Sequence, residues 1–487
     1  MLDRITEING WVGKLVWGTP MLVLLVGSGI FLTILNGGFQ FRYLRHWLKS
    51  TLGSLFEKKV QTDGTSISQF QSLCVALAAT IGTGNIVGVA SAIASGGPGA
   101  VFWMWVAAVF GMMTGFSEKV LGIYYRHRKK DGQWCGGAMY YLRDGLGTKK
   151  HCRIFGMILA ILFSVFCLLA SFGIGNMSQV NAIAGNMENV FGIEPALTGA
   201  VLTVLTGIVI TGGMKRVALV AEKLIPFMAV AYLFGTLAIF FSNFKQIPDV
   251  LNAVFKGAFG MKAAGGGIVG YGMKTAVTLG MKRGVFSNEA GLGSSVIVHA
   301  NADVCEPVQQ GMWGILEVFV DTILVCTLTA FSILSVGLVN LRTGEMISDL
   351  PPSALSGEAF SSVFGKAGGI FIAAAILLFA FTTLLGWSQY GIRAVEFLFG
   401  ARAGGFYQIV FIGIVFWGAV MKVGAVWELS DTFNGLMAVP NLIGVLTLSP
   451  AVHRITKNYV NRKIKQKSEK PLLSAFPEIQ REQEKKQ

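Results

Sequence analysis

Apolar residues recur in long runs along almost the whole chain, and polar residues collect in short segments between them. A helix needs about 20 apolar residues to cross about 30 Å of hydrocarbon. Lipid offers no partner to an unpaired backbone group, so each run reads as a membrane-crossing helix rather than an irregular segment. The pattern predicts spans near 12–35, 68–95, 98–124, 154–184, 196–213, 217–242, 266–302, 309–340, 368–398, 405–422 and 427–449, about eleven in all. The short alternating segments of a membrane barrel are missing. The expected fold class is all-α and polytopic.

Two of these runs are interrupted. "ATIGTGNIVGVA" at 79–90 and "VFSNEAGLGSSVIVHA" at 285–300 place glycines, hydroxyls, an asparagine each and one glutamate in the middle of a span. Breaking a helix frees N–H groups on one side and carbonyls on the other. Lipid penalises such groups by several kcal/mol each, whereas a carboxylate at a half-helix N-terminus and a cation at freed carbonyls satisfy them. Gly84 and Gly88 also have the spacing of a helix-packing face, which is the plainer explanation of one such run. Two runs in corresponding places favour a binding site. A five-helix unit that repeats once must return inverted, because five is odd, and its site then lies where the two broken helices meet. The expected units are an extra N-terminal helix and basic loop at 1–64, repeats at 65–250 and 251–452, and a tail at 453–487.

The composition agrees with a membrane protein: 53% of the 487 residues are hydrophobic and only 14% charged. The net charge of +14 is not spread as a nucleic-acid surface. It sits at Arg42, Arg45, Lys49, Lys58 and Lys59, at Arg126–Lys130 with Arg143, Lys149, Lys150 and Arg153, at Lys215 and Arg216, and in the tail. Basic loops mark the cytoplasmic side, so the N-terminus is expected outside and the tail inside a cell (inner) membrane. The first apolar run lacks a net-basic leader and reads as a retained helix. The segment from Arg462 onward is polar and is expected to be disordered. Cys74, Cys135, Cys152, Cys167, Cys305 and Cys326 are scattered and read as free thiols. His46, His127, His151 and His453 lie in basic segments and read as interfacial, and His299 is open.

Several function classes fall away. No G-x-x-x-x-G-K-[ST], H-E-x-x-H or G-x-S-x-G occurs, and "GTGNIVG" lacks dinucleotide-loop spacing. A cation channel would need a repeated filter around a pore, whereas the two interruptions differ and face opposite ways.

"ATIGTGNIVGVASAIASGGPGAVFWMW", "DGQWCGGAMYYL", "GMKRGVFSNEAGLGSS" and "FTTLLGWSQYG" resemble the alanine/glycine:cation symporter family, sodium-coupled carriers of small amino acids. The similarity runs from about residue 65 to 450. It implies the leucine-transporter (LeuT) architecture, a five-plus-five inverted repeat, with the first helix as an extra element. It implies that Thr83, Gly84 and Asn85 hold the substrate carboxylate, and that Phe286, Ser287 and Asn288 line the substrate. The carbonyls of Ala78 and Ile81 with the hydroxyls of Thr382 and Thr383 would hold Na⁺, hard oxygen donors for a hard cation. Gln179 and Trp387 join the substrate site, and Asn181 is a weaker candidate. Glu118 is expected to brace the second break.

Glu289 departs from the uncharged residue usual in the wider fold. A carboxylate at membrane depth is a functional suspect, and three roles are open to it: receiving the ammonium, supporting the cation, or bracing the break. Glu317 and Asp321 share a helical face, as do Arg393 and Glu396 near the basic end. The expected function is uptake of alanine or glycine with Na⁺ by alternating access, without a cofactor or covalent chemistry; H⁺ coupling is the alternative.

Overall fold

The computed structural model describes residues 2–56, 66–129, 132–148, 152–260, 268–421 and 424–486. Lys58, Lys59, Lys130, Lys149, Lys150 and His151 lie outside the described residues. Apart from a two-stranded hairpin pairing His127–Arg128 with Trp134–Cys135 and isolated bridges at Ile67–Ala302 and Val339–Met346, the described secondary structure is helical.

Seven described helices are long and apolar enough to cross a membrane, and two bent pairs bring the number to nine. The other two expected spans have physical reasons for falling short. Pro195–Ile210 has only 16 residues, and the run expected over 266–302 stops at Asn288 before resuming as Val296–His299. The outward faces of the helices carry the apolar surface: Ile154, Ile158, Val204, Ile208, Phe227, Phe234, Ile409 and Trp417 are all exposed. Polar side chains such as Asn85, Glu118, Glu289, Glu317 and Asp321 are buried. That inside-out distribution suits a solvent of hydrocarbon.

The first broken helix begins cleanly. Ser68 caps Gln69–Thr80 by accepting from Gln71 N, while the Gln71 side chain accepts from Ser68 N at 2.9 Å, a reciprocal capping box. It ends at Ile81 (φ −77°, ψ 88°). The chain resumes through a π-helical turn, Gly84–Gly88, and then Val89–Gly96, at 53° to the first half. The second break follows Ile268–Asn288, where Glu289 stands at φ 54° and Gly291 and Gly293 at φ 94° and 79°.

The long Gly99–Tyr124 helix holds both neighbours of these breaks. It packs closely on Pro307–Val318, where a methyl on Gly314 would come within 2.9 Å of the Gly115 carbonyl. The Lys366–Phe399 helix closes the opposite side. A Cβ on its Gly386 would lie 2.8 Å from the Ala79 Cβ, so the two backbones meet at the first break.

The tail is ordered, contrary to the expectation from its polarity. After Ser449–Tyr459 and a π-helical turn, Val460–Ile464, it ends in Pro477–Glu484. Within the polar stretch, "PLLSAFPEIQ" supplies its own small core: Leu473 and Ile479 are buried. The Gln480 side chain closes the turn by accepting from Leu473 N at 2.8 Å and Ser474 N at 2.9 Å. Ala475 N donates to the Tyr124 carbonyl at 2.9 Å, Arg128 pairs with Glu482, and Arg462 makes two 2.8 Å bonds to Glu306. His46 and His127 lie at this same end, bonded to Tyr459 at 3.2 Å and Asp144 at 2.6 Å.

Candidate functional site

A small cavity lies where the two breaks face each other. Its lining comes from the first break (Ala79, Thr80, Gly82, Gly84), the second (Phe286, Glu289), the Arg153–Phe191 segment (Ile174, Gln179), Lys366–Phe399 (Thr383, Trp387) and Asn434.

At the first break the backbone is left with unspent acceptors. Gly82 N donates to the Asn85 side-chain oxygen at 3.1 Å instead of to the Ala78 carbonyl four residues earlier. Among the described residues no hydrogen bond reaches the Ala78 or Ile81 carbonyl oxygen. Thr383 faces this place, its hydroxyl so near that a Cβ on Gly82 would lie 2.4 Å from it. Its proton goes to the Phe379 carbonyl at 2.9 Å, which leaves oxygen lone pairs available. Free carbonyl and hydroxyl oxygens of this kind are the donor types that suit Na⁺ or another hard cation. Thr382 is different: its hydroxyl bonds Phe379 and turns toward the Met228 sulfur at 3.8 Å, away from the cavity.

The substrate candidates also divide. Gly84 abuts Phe286, with an added Cβ 3.7 Å from the ring. Thr83 donates to the Gln179 side-chain oxygen at 3.2 Å, and Gln179 is further held by the Ile174 carbonyl at 3.0 Å. Trp387 sits in a seat left by Gly175, where a Cβ would come within 2.4 Å of it, and its ring meets Tyr390 edge-on at 5.3 Å. Three candidates turn elsewhere. The Asn85 amide donates to the Asp321 carboxylate at 2.8 Å; Ser287 contacts the Cys326 sulfur at 3.4 Å; and Asn288 donates to Thr322 at 3.0 Å while accepting from Ala290 N. These three join the breaks to Pro307–Leu334 and do not line the cavity. Asn181 bonds the Gly418 and Met421 carbonyls, on the far side of its helix.

Buried charges fall into two groups. Glu118 accepts from Gly291 N at 3.1 Å and Asn441 at 2.6 Å, which ties the second break to Gly99–Tyr124. Beside it Lys119 pairs with Glu317 at 3.0 Å, and Glu317 also meets His299 at 3.0 Å. His299 continues to Ser72 and Gln310. It is thus the centre of a buried polar network. Glu289 and Asp321 have no basic partner within 4 Å among the described residues. Glu317 and Asp321, four apart, serve different partners because the helix widens into a π-helical stretch at Phe319–Cys326. Arg393 and Glu396 pair at 2.7 Å, and Lys129 joins them at 2.9 Å.

Sequence reasoning passed over Ala79, Thr80, Gly82, Ile174 and Asn434 among the lining residues, and of these Asn434 is the polar one outside both breaks. The cluster Ser430, Asp431, Thr432 and Asn434 inside an otherwise apolar run was its available signal.

Residues 2–473 match the model of the "Sodium:alanine symporter family". A Methanococcus maripaludis protein named sodium/alanine symporter AgcS is 42% identical over 458 residues, covering 94% of this chain and 98% of the other. A Bacillus subtilis protein named as a probable sodium/glutamine symporter, GlnT, is 37% identical over 465 residues, 95% of this chain and 92% of its own. Among solved structures, a Na⁺-coupled sialic acid symporter in a substrate-bound outward-open state superposes with a TM-score of 0.53 at 12% identity, covering 96% of each chain. The last likeness concerns the fold alone, and it is the LeuT-type fold implied by the sequence motifs.

Proposed function

The chain belongs to the sodium:alanine symporter family, and from that premise we propose that it takes up alanine, glycine or both with Na⁺ by alternating access. Membership makes it a multi-pass, sodium-coupled amino acid symporter and not an enzyme. The finer reading rests on one observation above all: Ala78 and Ile81 carbonyls that accept no hydrogen bond among the described residues, at the break where Thr383 stands against Gly82, beside a cavity walled by Phe286 and Trp387.

In this reading Na⁺ joins the oxygens of Ala78, Ile81 and Thr383 and fixes the first break. The half-helix starting at Gly84 turns its N-terminus to the substrate carboxylate. Trp387 and Phe286 restrict the side chain, although one methyl discriminates by only about 1–3 kcal/mol. Glu118, through Gly291 and Asn441, holds the second break in register. A zwitterion adds no net charge, so one Na⁺ crossing 100 mV supplies about 2.3 kcal/mol to uphill uptake. The basic segments support a reading with the tail in the cytoplasm and the N-terminus outside.

The test is a panel of labelled amino acids offered to proteoliposomes under Na⁺, Li⁺ or H⁺ gradients. Saturable alanine or glycine uptake that requires Na⁺ supports the proposal. Uptake driven equally by H⁺ alone selects the proton-coupled alternative, and absence of alanine and glycine from the transported set refutes the substrate assignment.

A further inference from the structure

We propose that the cavity contains a receptor for the substrate ammonium group, built from the Glu289 carboxylate and the Asn434 amide. The inference rests on the amino acid reading above and adds the element that separates an amino acid from other small carboxylates.

Four observations converge. First, Glu289 and Asn434 come from different helices yet line the same cavity. Second, Glu289 is buried, and it has no basic side chain within 4 Å among the described residues. One of its oxygens accepts the Ser294 hydroxyl at 2.5 Å, so the carboxyl is held in place by a neutral donor. A cationic ligand beside it would stabilise its charged form. Third, the Asn434 side chain is 1% exposed and its amide oxygen has no hydrogen-bond partner. The Tyr390 hydroxyl stands against the same carboxyl. An orphaned acceptor and a carboxyl lining one cavity together ask for a ligand with several N–H donors. Fourth, Glu289 occupies φ 54°, a conformation that costs a non-glycine residue about 1–3 kcal/mol. Glycine would relieve the strain and lose the carboxylate.

The local charge balance points the same way. Glu118, Glu289, Glu317 and Asp321 are all buried, and Lys119, between Glu118 and Glu317, is already engaged with Glu317 and the Ser295 hydroxyl. A primary ammonium supplies one positive charge and three donors, which matches one carboxylate plus one amide oxygen. Glu289→Gln keeps an acceptor for Ser294 and removes the charge alone.

The experiment compares wild type, Glu289→Gln and Asn434→Ala as full-length chains in proteoliposomes, with labelled L-alanine at saturating Na⁺ and with lactate and propionate as competitors. Thermal unfolding of each purified protein is recorded with and without alanine. A charged hydrogen bond carries a factor of roughly ten to a hundred in affinity. The KM for alanine is therefore expected to rise at least about tenfold in both variants, and alanine's stabilising shift to shrink, while unfolding without alanine stays near wild type. Wild type is expected to ignore lactate and propionate, which lack the ammonium. An unchanged KM in either folded variant overturns the proposal, as does competition by propionate equal to that by alanine. Loss of ligand-free stability in Glu289→Gln with an intact alanine shift also overturns it and assigns bracing. If Glu289→Gln does not fold, Asn434→Ala decides. A wild-type protein that transports neither alanine nor glycine overturns the substrate reading together with the receptor.

Discussion

The Asn85 amide nitrogen donates to the Asp321 carboxylate at 2.8 Å, a bond between the first broken helix and the widened turn of Pro307–Leu334. The same side chain closes on Gly82 N. One asparagine therefore releases the Ala78 carbonyl and anchors the break. Replacing Asn85 with Ala strips a buried carboxylate of a donor, a cost of about 1–3 kcal/mol. We expect a lower unfolding temperature for Asn85→Ala in detergent, together with weaker Na⁺ dependence of uptake. Wild-type stability and wild-type sodium activation in this variant would mean that the bond does not organise the break.

Thr383 and Thr382 are adjacent in sequence but face different surroundings. Thr383→Ala should raise the Na⁺ concentration needed for half-maximal uptake roughly tenfold or more, the scale of one oxygen contact to a charge. Thr383→Ser should restore it. Thr382→Ala removes only a bond to Phe379 and a contact with Met228, so sodium titration of that variant should stay within about twofold of wild type. The reverse ranking would place the cation elsewhere.

The two helix breaks were legible because glycine, hydroxyl and amide residues inside an apolar run conflict with lipid burial. The family resemblance supplied the LeuT architecture and marked the site. Neither source of information gives side-chain direction at an unwound segment, where the 3.6-residue period no longer holds. Asn85 is such a case, lying in the π-helical turn; Ser287 and Asn288 close the last turn of Ile268–Asn288, and Thr382 and Thr383 part company because neighbours on the regular Lys366–Phe399 helix point about 100° apart. Asn434 escaped notice because it belongs to neither break. The ordered tail was hidden by composition: a charged stretch reads as solvated, yet Leu473 and Ile479 are enough to seat it when Tyr124 and Arg128 offer partners.

Trp387 limits the cavity, and Gly175 leaves the room in which its ring sits. Trp387→Ala should admit larger side chains, read as competition of leucine or methionine with labelled alanine that wild type does not show. Gly175→Val should abolish uptake by displacing the ring into the cavity. An unchanged competition profile for Trp387→Ala would remove Trp387 as the size filter.

The tail should contribute to stability through its small core. Leu473→Asp places a charge where the side chain is fully buried, a change that costs several kcal/mol unless the segment detaches. Faster proteolysis within 467–486 is the expected readout. Protease resistance equal to wild type would show that the segment does not depend on Leu473.

The most direct test of sodium-coupled alanine or glycine symport is the current evoked when alanine or glycine is added to proteoliposomes adsorbed on a capacitive membrane. With Na⁺ present, either substrate should drive inward positive charge that saturates with substrate, and replacing Na⁺ with choline should abolish it. A substrate-evoked current of equal size without Na⁺, or measurable uptake with no charge movement at all, would contradict the account.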